Sequence, residues 1–251
     1  MIEKKEITNR KTQQPSQKRF LALSVVLVVL IAFGSIVFFL FLRSSEVTFS
    51  LNAAIIDQLG EEFPNPTFVE NATTILKTHG FNVYYQNETI DVNFFKGLAK
   101  NNYGIVILRV HSALREDNST VDLFTSEKYD YNKYLSEREN GLLTMGEYLY
   151  SPGKYYFAIA PLFINNLEGR FPKSVVIAMG CWSLKPECEQ MAIAFIDKGV
   201  KAYVGWTDIV FPQDTDYETI RLLKMLLNEN ETLADAISQT KEYTYYGVHT
   251  R

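Results

Sequence analysis

The sequence predicts an α/β fold, a three-layer α/β/α sandwich with a mostly parallel sheet, preceded by one transmembrane helix. Three observations predict it. Two apolar runs, "GIVILRV" (104–110) and "SVVIAM" (174–179), are of the near-continuous, β-branched kind that buried parallel strands require. Around them, strand-like stretches alternate with stretches of helical spacing. Residues 20–42, "FLALSVVLVVLIAFGSIVFFLFL", carry no charge at all.

Residues 1–19 form a polar tail with Lys4, Lys5, Arg10, Lys11, Lys18 and Arg19 against Glu3 and Glu6. At about 1.5 Å per residue, the apolar stretch from Phe20 to Leu42 makes roughly 35 Å of helix, enough to cross a bilayer with some tilt. A cleaved signal peptide has a shorter apolar region of about 7–15 residues and a small-residue cleavage site, which "FLRSSE" resembles poorly. Only Arg43 follows the span closely, so the bias of basic residues places the N-terminus in the cytoplasm. The expected protein is thus a single-pass protein of the cell membrane. Residues 43–50 are a linker and 51–251 an extracytoplasmic domain. Four N-x-S/T sequons, at Asn71, Asn87, Asn118 and Asn230, fall on that outer side as glycosylation acceptors.

The outer domain reads in order as follows. "NAAIID" (52–57) is a buried strand, and "GEEFPNP" is a turn-rich connection. Phe68, Ala72, Ile75 and Leu76 then repeat at helical spacing until Gly80 stops the helix. "FNVYY" (81–85) alternates as a strand, and 91–102 is a short helix with Asp91 as its cap. After the 104–110 strand, "VDLFTSEKY" reads as an inserted hairpin piece and "YYFAIAPLFI" as an extended stretch. The strand at 174–179 is followed by the helix "EQMAIAFIDKG" and the strand "VKAYVGW" (200–206). Helices around 217–227 and 233–243 close the chain. About 200 residues suit one sizeable core.

The whole chain carries −4. Setting aside the seven bases and two acids of residues 1–43 leaves the outer part near −9, which argues against a nucleic-acid partner. Three histidines (His79, His111, His249) with no metal-ligand spacing give no metal site. "LEGRF" and "GEYLYSPG" match no phosphate-binding loop, so no cofactor is expected.

Two of the most buried-looking strands end on residues with chemistry to offer. "GIVILRV" runs into His111 and Ser112, and "SVVIAMG" into Cys181. Parallel strands share a direction, so both side chains emerge at one sheet edge, where functional groups of such folds gather. An imidazole there can take the thiol proton or stabilise the thiolate. Gly180 allows close backbone approach, and N–H groups near Cys181 can hold an oxyanion. A helix starting near Pro186 would aim its positive end at the thiolate. Arg109, on a buried strand, needs a partner and reads as structural.

The blocks "YGIVILRVHS" and "VVIAMGC" resemble the signature of the caspase-like cysteine peptidases, the group of caspases, metacaspases, legumain, clostripain, gingipains, separase and CHAT domains. "MAIAFIDKGVKAYVGWT" is similar to the CHAT and gingipain pattern of a helix, a Gly–small turn and an edge strand ending near Gly–Trp. The resemblance covers roughly 52–228, with specificity only in the two strand-end motifs. It implies a membrane-anchored cysteine endopeptidase acting on a peptide or protein substrate. His111 is then the general base, Cys181 the nucleophile, and the backbone at Ser112 and Cys181 the oxyanion hole. In relatives an acid in the first specificity pocket selects Arg or Lys, which makes Asp57 and Asp208 pocket candidates, with Trp206 as a groove wall.

The chain departs from the family at Ser112, where His-Gly is usual, and in having Cys188 seven residues beyond Cys181. A Cys181–Cys188 disulfide would silence the nucleophile, but a helix start between them makes that bond awkward. Cys188 is therefore expected as a buried thiol. The alternative function is a catalytically inactive ectodomain of the same fold, an anchored recognition or scaffold module. Ser112 favours it and the His–Cys pair argues against it.

Overall fold

The chain divides into two compact units, Met1–Glu46 and Val47–Arg251. The structure, a computed structural model, describes residues 30–33, 35, 48–148, 152–241, 243–245 and 248–250. In the first unit residues 30–33 and 35 are helical, with Ser35 Oγ donating to the Ile31 carbonyl at 2.7 Å. The rest of the span expected over 20–42 lies outside the described residues. Among those described, no helix is long and apolar enough to cross a membrane.

The second unit is α/β. β1 (Asn52–Asp57) is almost wholly buried and leads to α1 (Pro66–Thr78). That helix begins where Asn65 Oδ1 accepts from Phe68 N–H and Pro66 supplies a preset φ at the first turn. It ends at Gly80, whose φ of +83° suits a residue without a Cβ. The four residues at helical spacing, Phe68, Ala72, Ile75 and Leu76, are the ones it buries. β2 (Asn82–Gln86) follows, then α2 (Val92–Gly97), capped by Asp91 through the Phe94 N–H at 2.7 Å. β3 (Ile105–Arg109) is buried throughout.

Four strands come next: β4 (Ser112–Leu114), β5 (Val121–Lys128), β6 (Leu143–Glu147) and β7 (Tyr155–Ile159), with the short α3 (Leu135–Glu139) between β5 and β6. They pair antiparallel in the order β4-β5-β7-β6. The expected hairpin piece is therefore β5 of a second sheet. Only the first half of the expected extended stretch is a strand. Pro161 starts α4 (Pro161–Asn165), where its missing N–H costs nothing.

β8 (Val175–Ala178), α5 (Gln190–Asp197), β9 (Ala202–Val204), α6 (Pro212–Leu227) and α7 (Leu233–Ser238) follow. A small hairpin of β10 (Tyr243–Tyr245) and β11 (Val248–Thr250) comes last. α6 starts five residues before the sequence reading, because its polar first turn carries no apolar spacing.

The main sheet has the order β2-β1-β3-β8-β9, and all its pairings are parallel. Strand residues alternate between two cores. Ala53, Ile55, Ile105, Ile107 and Ile177 pack with apolar residues of α1, α6 and α7. Ala54, Ile56, Val106, Leu108 and Val176 pack with residues of α2, α4 and α5 and with β5, β6 and β7. Each such large side chain contributes about 1.5–3 kcal/mol when fully buried, so burial on both faces fixes where β3 ends. The strand order reverses between β1 and β3, the kind of place where ligands bind beyond the carboxyl ends of strands.

Candidate active site

Register sets the site. β3 pairs with β8 so that Leu108 stands opposite Ala178, and His111 and Cys181 each lie three residues further on. Adjacent strands are about 4.8 Å apart, so the two chain ends leave the sheet side by side. Both residues line one cavity of about 110 Å³, together with Ser112, Gly180, Trp182, Phe63, Phe124 and Tyr148.

Gly180 makes that approach possible. A Cβ there would stand 2.2 Å from Ser112 Oγ and 2.6 Å from the Val110 carbonyl oxygen, both impossible contacts. Ser112 Oγ instead donates to the Cys181 carbonyl at 2.5 Å, tying the two strand ends together. Immediately after the thiol, Trp182 holds φ at +54°, a left-handed conformation that costs an aromatic residue of order 1 kcal/mol.

His111 is held from three directions. Its backbone N–H donates to Gln58 Oε1 at 2.8 Å, and Gln58 Nε2 donates on to Tyr148 Oη at 2.6 Å. The Tyr148 hydroxyl donates to the Thr125 carbonyl, and its ring lies against the imidazole at 4.5 Å between centroids. The edge-on rings of Phe63 and Phe124 complete the enclosure. His111 Nε2 is 2.9 Å from Glu62 Oε2. Burial lowers the imidazole pKa below its ordinary 6.5 and outweighs the Glu62 carboxylate, which pulls the other way. The neutral ring places its proton on Nε2, donated to Glu62, and leaves the lone pair on Nδ1.

Cys181 Sγ is bracketed by one residue: it donates to the Val210 carbonyl and accepts from the Val210 N–H, both at 3.5 Å. Burial raises the thiol pKa above its ordinary 9.0. The Val210 N–H opposes that shift, and Asp208 reinforces it by repelling the thiolate. At neutral pH the pair is therefore thiol and imidazole, both uncharged.

The second sheet contributes a backbone N–H at its edge. Phe124 N–H donates to the His111 carbonyl, which makes Ser112 and Leu123 the non-hydrogen-bonded pair of the β4–β5 ladder. The Ser112 N–H therefore points away from β5, on the edge of that sheet nearest Cys181.

The remaining expectations fare differently. Asp57 is 1% exposed, accepts from Arg109 Nη1 at 2.6 Å and from the Tyr85 hydroxyl at 3.0 Å, and is absent from the lining of this cavity. Its carboxylate serves the partner that Arg109 requires. Trp206 is also outside the lining; it is buried, and its indole N–H donates to Thr215 Oγ1 at 2.7 Å. Asp208 accepts from Trp182 N–H through its backbone and caps Ile209 N–H with its side chain, beside the cavity rather than in it. The expected helix near Pro186 begins only at Gln190, so no helix terminus follows the thiol directly. Cys181 and Cys188 are both free, and Cys188 is buried with Sγ donating to the Asn118 carbonyl. Among the described residues no group of His, Cys, Asp and Glu can hold a metal ion.

Sequence reasoning missed Glu62, Gln58, Tyr148 and Val210. Gln58 follows the end of β1 and was within reach of the strand-end rule. Glu62 lies in a turn with no periodicity, and Tyr148 and Val210 reach the site only through tertiary folding. Comparison with protein families, curated proteins and solved structures finds no match for this chain.

Proposed function

We propose that this chain is a caspase-like cysteine endopeptidase, anchored by a single span over 20–42 with residues 51–251 outside the cell and a three-layer sandwich as its catalytic domain. The observation that carries the reading is the shared cavity of His111 and Cys181, formed where two neighbouring parallel strands end in register. The four sequon asparagines are all exposed, as acceptors on an outer domain must be.

The chemistry follows from the neutral pair. When a peptide carbonyl enters the cavity, His111 Nδ1 takes the thiol proton as Sγ forms its bond to the carbonyl carbon. The carbonyl π electrons move to oxygen, and the backbone N–H groups of Ser112 and Cys181 receive that oxyanion. Glu62 stabilises the imidazolium formed. Collapse of the intermediate breaks the C–N bond, His111 gives its proton to the leaving amine, and a thioester remains. Water then attacks the thioester with His111 as base again, and the acid product leaves as the thiol is restored.

A second reading, an inactive recognition module, is favoured by the two Val210 hydrogen bonds that occupy the thiol. One experiment separates the two. The purified full chain in detergent is treated with peptide chloromethyl ketones and weighed intact, beside Cys181→Ala and His111→Ala. A single adduct on Cys181 that requires His111 is expected. No adduct from the reduced wild-type protein with any warhead leaves the module reading.

A further inference from the structure

Resting on the peptidase reading, we infer that the cavity beside Cys181 is a slot for an aliphatic side chain, so the enzyme cleaves after leucine-like residues and not after Arg, Lys or Asp. The walls make the case. Leu59, Phe124, Met179 and Val210 line the cavity and are each at most 5% exposed, and Ile209 and Phe211 close it from the loop that brackets the thiol.

The charged groups nearby are already engaged. Glu62 accepts from His111, and Arg109 is bound by Asp57 and Asp216. Glu147 is the one carboxylate in the lining; it is exposed and accepts from the Gly153 N–H at 2.5 Å. A carboxylate pushed between these walls would lose its water and gain no partner, and a guanidinium or ammonium would meet only Glu147, whose exposed and hydrated carboxylate repays little of that loss. Size narrows the choice further. A cavity of about 150 Å³ lined by Leu, Ile and Phe takes benzene. This one, at about 110 Å³, suits a branched or straight chain of four carbons better than a phenyl or indole ring.

The test uses the full chain in detergent with peptide acyloxymethyl ketones that differ only in the residue bearing the warhead: Leu, norleucine, Ala, Phe, Asp, Lys and Arg. The rate of Cys181 modification is read by intact mass. Leu and norleucine are expected to react about 10-fold faster than Ala and about 100-fold or more faster than the charged members. Ile209→Phe, which fills the slot, is expected to lower the Leu rate about 10-fold relative to Ala. Fastest reaction with Asp, Lys or Arg overturns the inference and leaves the peptidase reading standing. So does an Ile209→Phe protein whose Leu-to-Ala ratio is unchanged. No modification by any member, with Cys181 still alkylated by iodoacetamide, overturns the peptidase reading itself and the inference with it.

Discussion

Replacing Arg109 with methionine tests the foundation of the site. The guanidinium is 1% exposed and meets two buried carboxylates. Nε and Nη2 donate to the two oxygens of Asp216 at 2.7 and 2.9 Å, Nη1 donates to Asp57 at 2.6 Å, and Nη2 also reaches the Phe63 carbonyl at 2.8 Å. Breaking a buried ion pair from one side costs about 3–5 kcal/mol, because the charge left behind has no partner. Here two carboxylates are stranded, although Asp57 keeps the Tyr85 hydroxyl and Asp216 keeps Asn65 Nδ2 at 2.9 Å. About 4 kcal/mol is therefore expected for Arg109→Met, a large share of the roughly 5–15 kcal/mol that holds a domain folded. For a domain of this size that lowers Tm by roughly 8–16 °C, read by circular dichroism. Arg109→Met combined with Asp57→Asn and Asp216→Asn should recover about half of the loss, since the stranded charges are gone. A single variant within about 1 kcal/mol of wild type, or a triple variant no better than the single, would refute the reasoning. The latter result would mean that packing of the arginine stem, not charge, sets the cost.

The other expectations concern the pair itself. Glu62→Gln keeps the hydrogen bond to Nε2 but removes the charge that stabilises the imidazolium. It should lower kcat about 10-fold with KM little changed, measured on a cleavable peptide amide carrying the residue that reacts fastest in the warhead series. Gly180→Ala should destabilise the protein by about 2–3 kcal/mol and abolish labelling, because its Cβ drives Ser112 and Val110 from Cys181; a variant with wild-type Tm and labelling rate contradicts the packing described. In the protein without substrate, iodoacetamide should modify Cys181 slowly at pH 7, with the rate rising through a midpoint above 9.0, as burial holds the proton on sulfur. A fast plateau from pH 5 upward would mean a preformed thiolate–imidazolium pair.

Much of the main sheet was legible because its signals are local. β1 runs over the six residues that the apolar stretch marks, and the four apolar residues spaced along α1 are the four it buries. The second sheet was not legible to the same degree. β4 is only three residues long, and β5 shifts register between Phe124 and Lys128, so neither shows a sustained alternation. The stretch 155–164 reads as extended throughout because residues 161–164 follow the strand without a break in hydrophobicity; Pro161 is the signal that separates helix from strand. At the site, His111, Cys181, Gly180 and Ser112 could be picked out because each sits at or just past the end of a buried strand. The acids were not readable, because sequence position does not say which carboxylate is consumed by a buried cation. Asp57 looked available and is bound to Arg109, whereas Glu62 looked like a turn residue and meets the histidine.

The same burial that makes the slot apolar decides the resting chemistry of the pair. Desolvation lowers His111 despite Glu62 and raises Cys181 despite the Val210 N–H, so both groups are pushed toward their uncharged forms. Under the proposed peptidase mechanism, charge appears only when sulfur attacks, at the moment when an oxyanion forms beside Ser112 and a proton arrives on His111. Under that mechanism, fixed dipoles and the Glu62 carboxylate would do most for the transition state and little for the resting pair, which is the condition for lowering a barrier. The pH dependence carries the sign of this arrangement. Protonation of His111 removes the base, and since its pKa lies below 6.5, kcat/KM should hold level as pH falls to about neutral and drop only below 6.5. Folding stability should fall over the same acid range, because the unfolded chain takes up the imidazole proton before the folded one does. An acid limb centred above 6.5 would place the essential proton on some group other than this buried histidine.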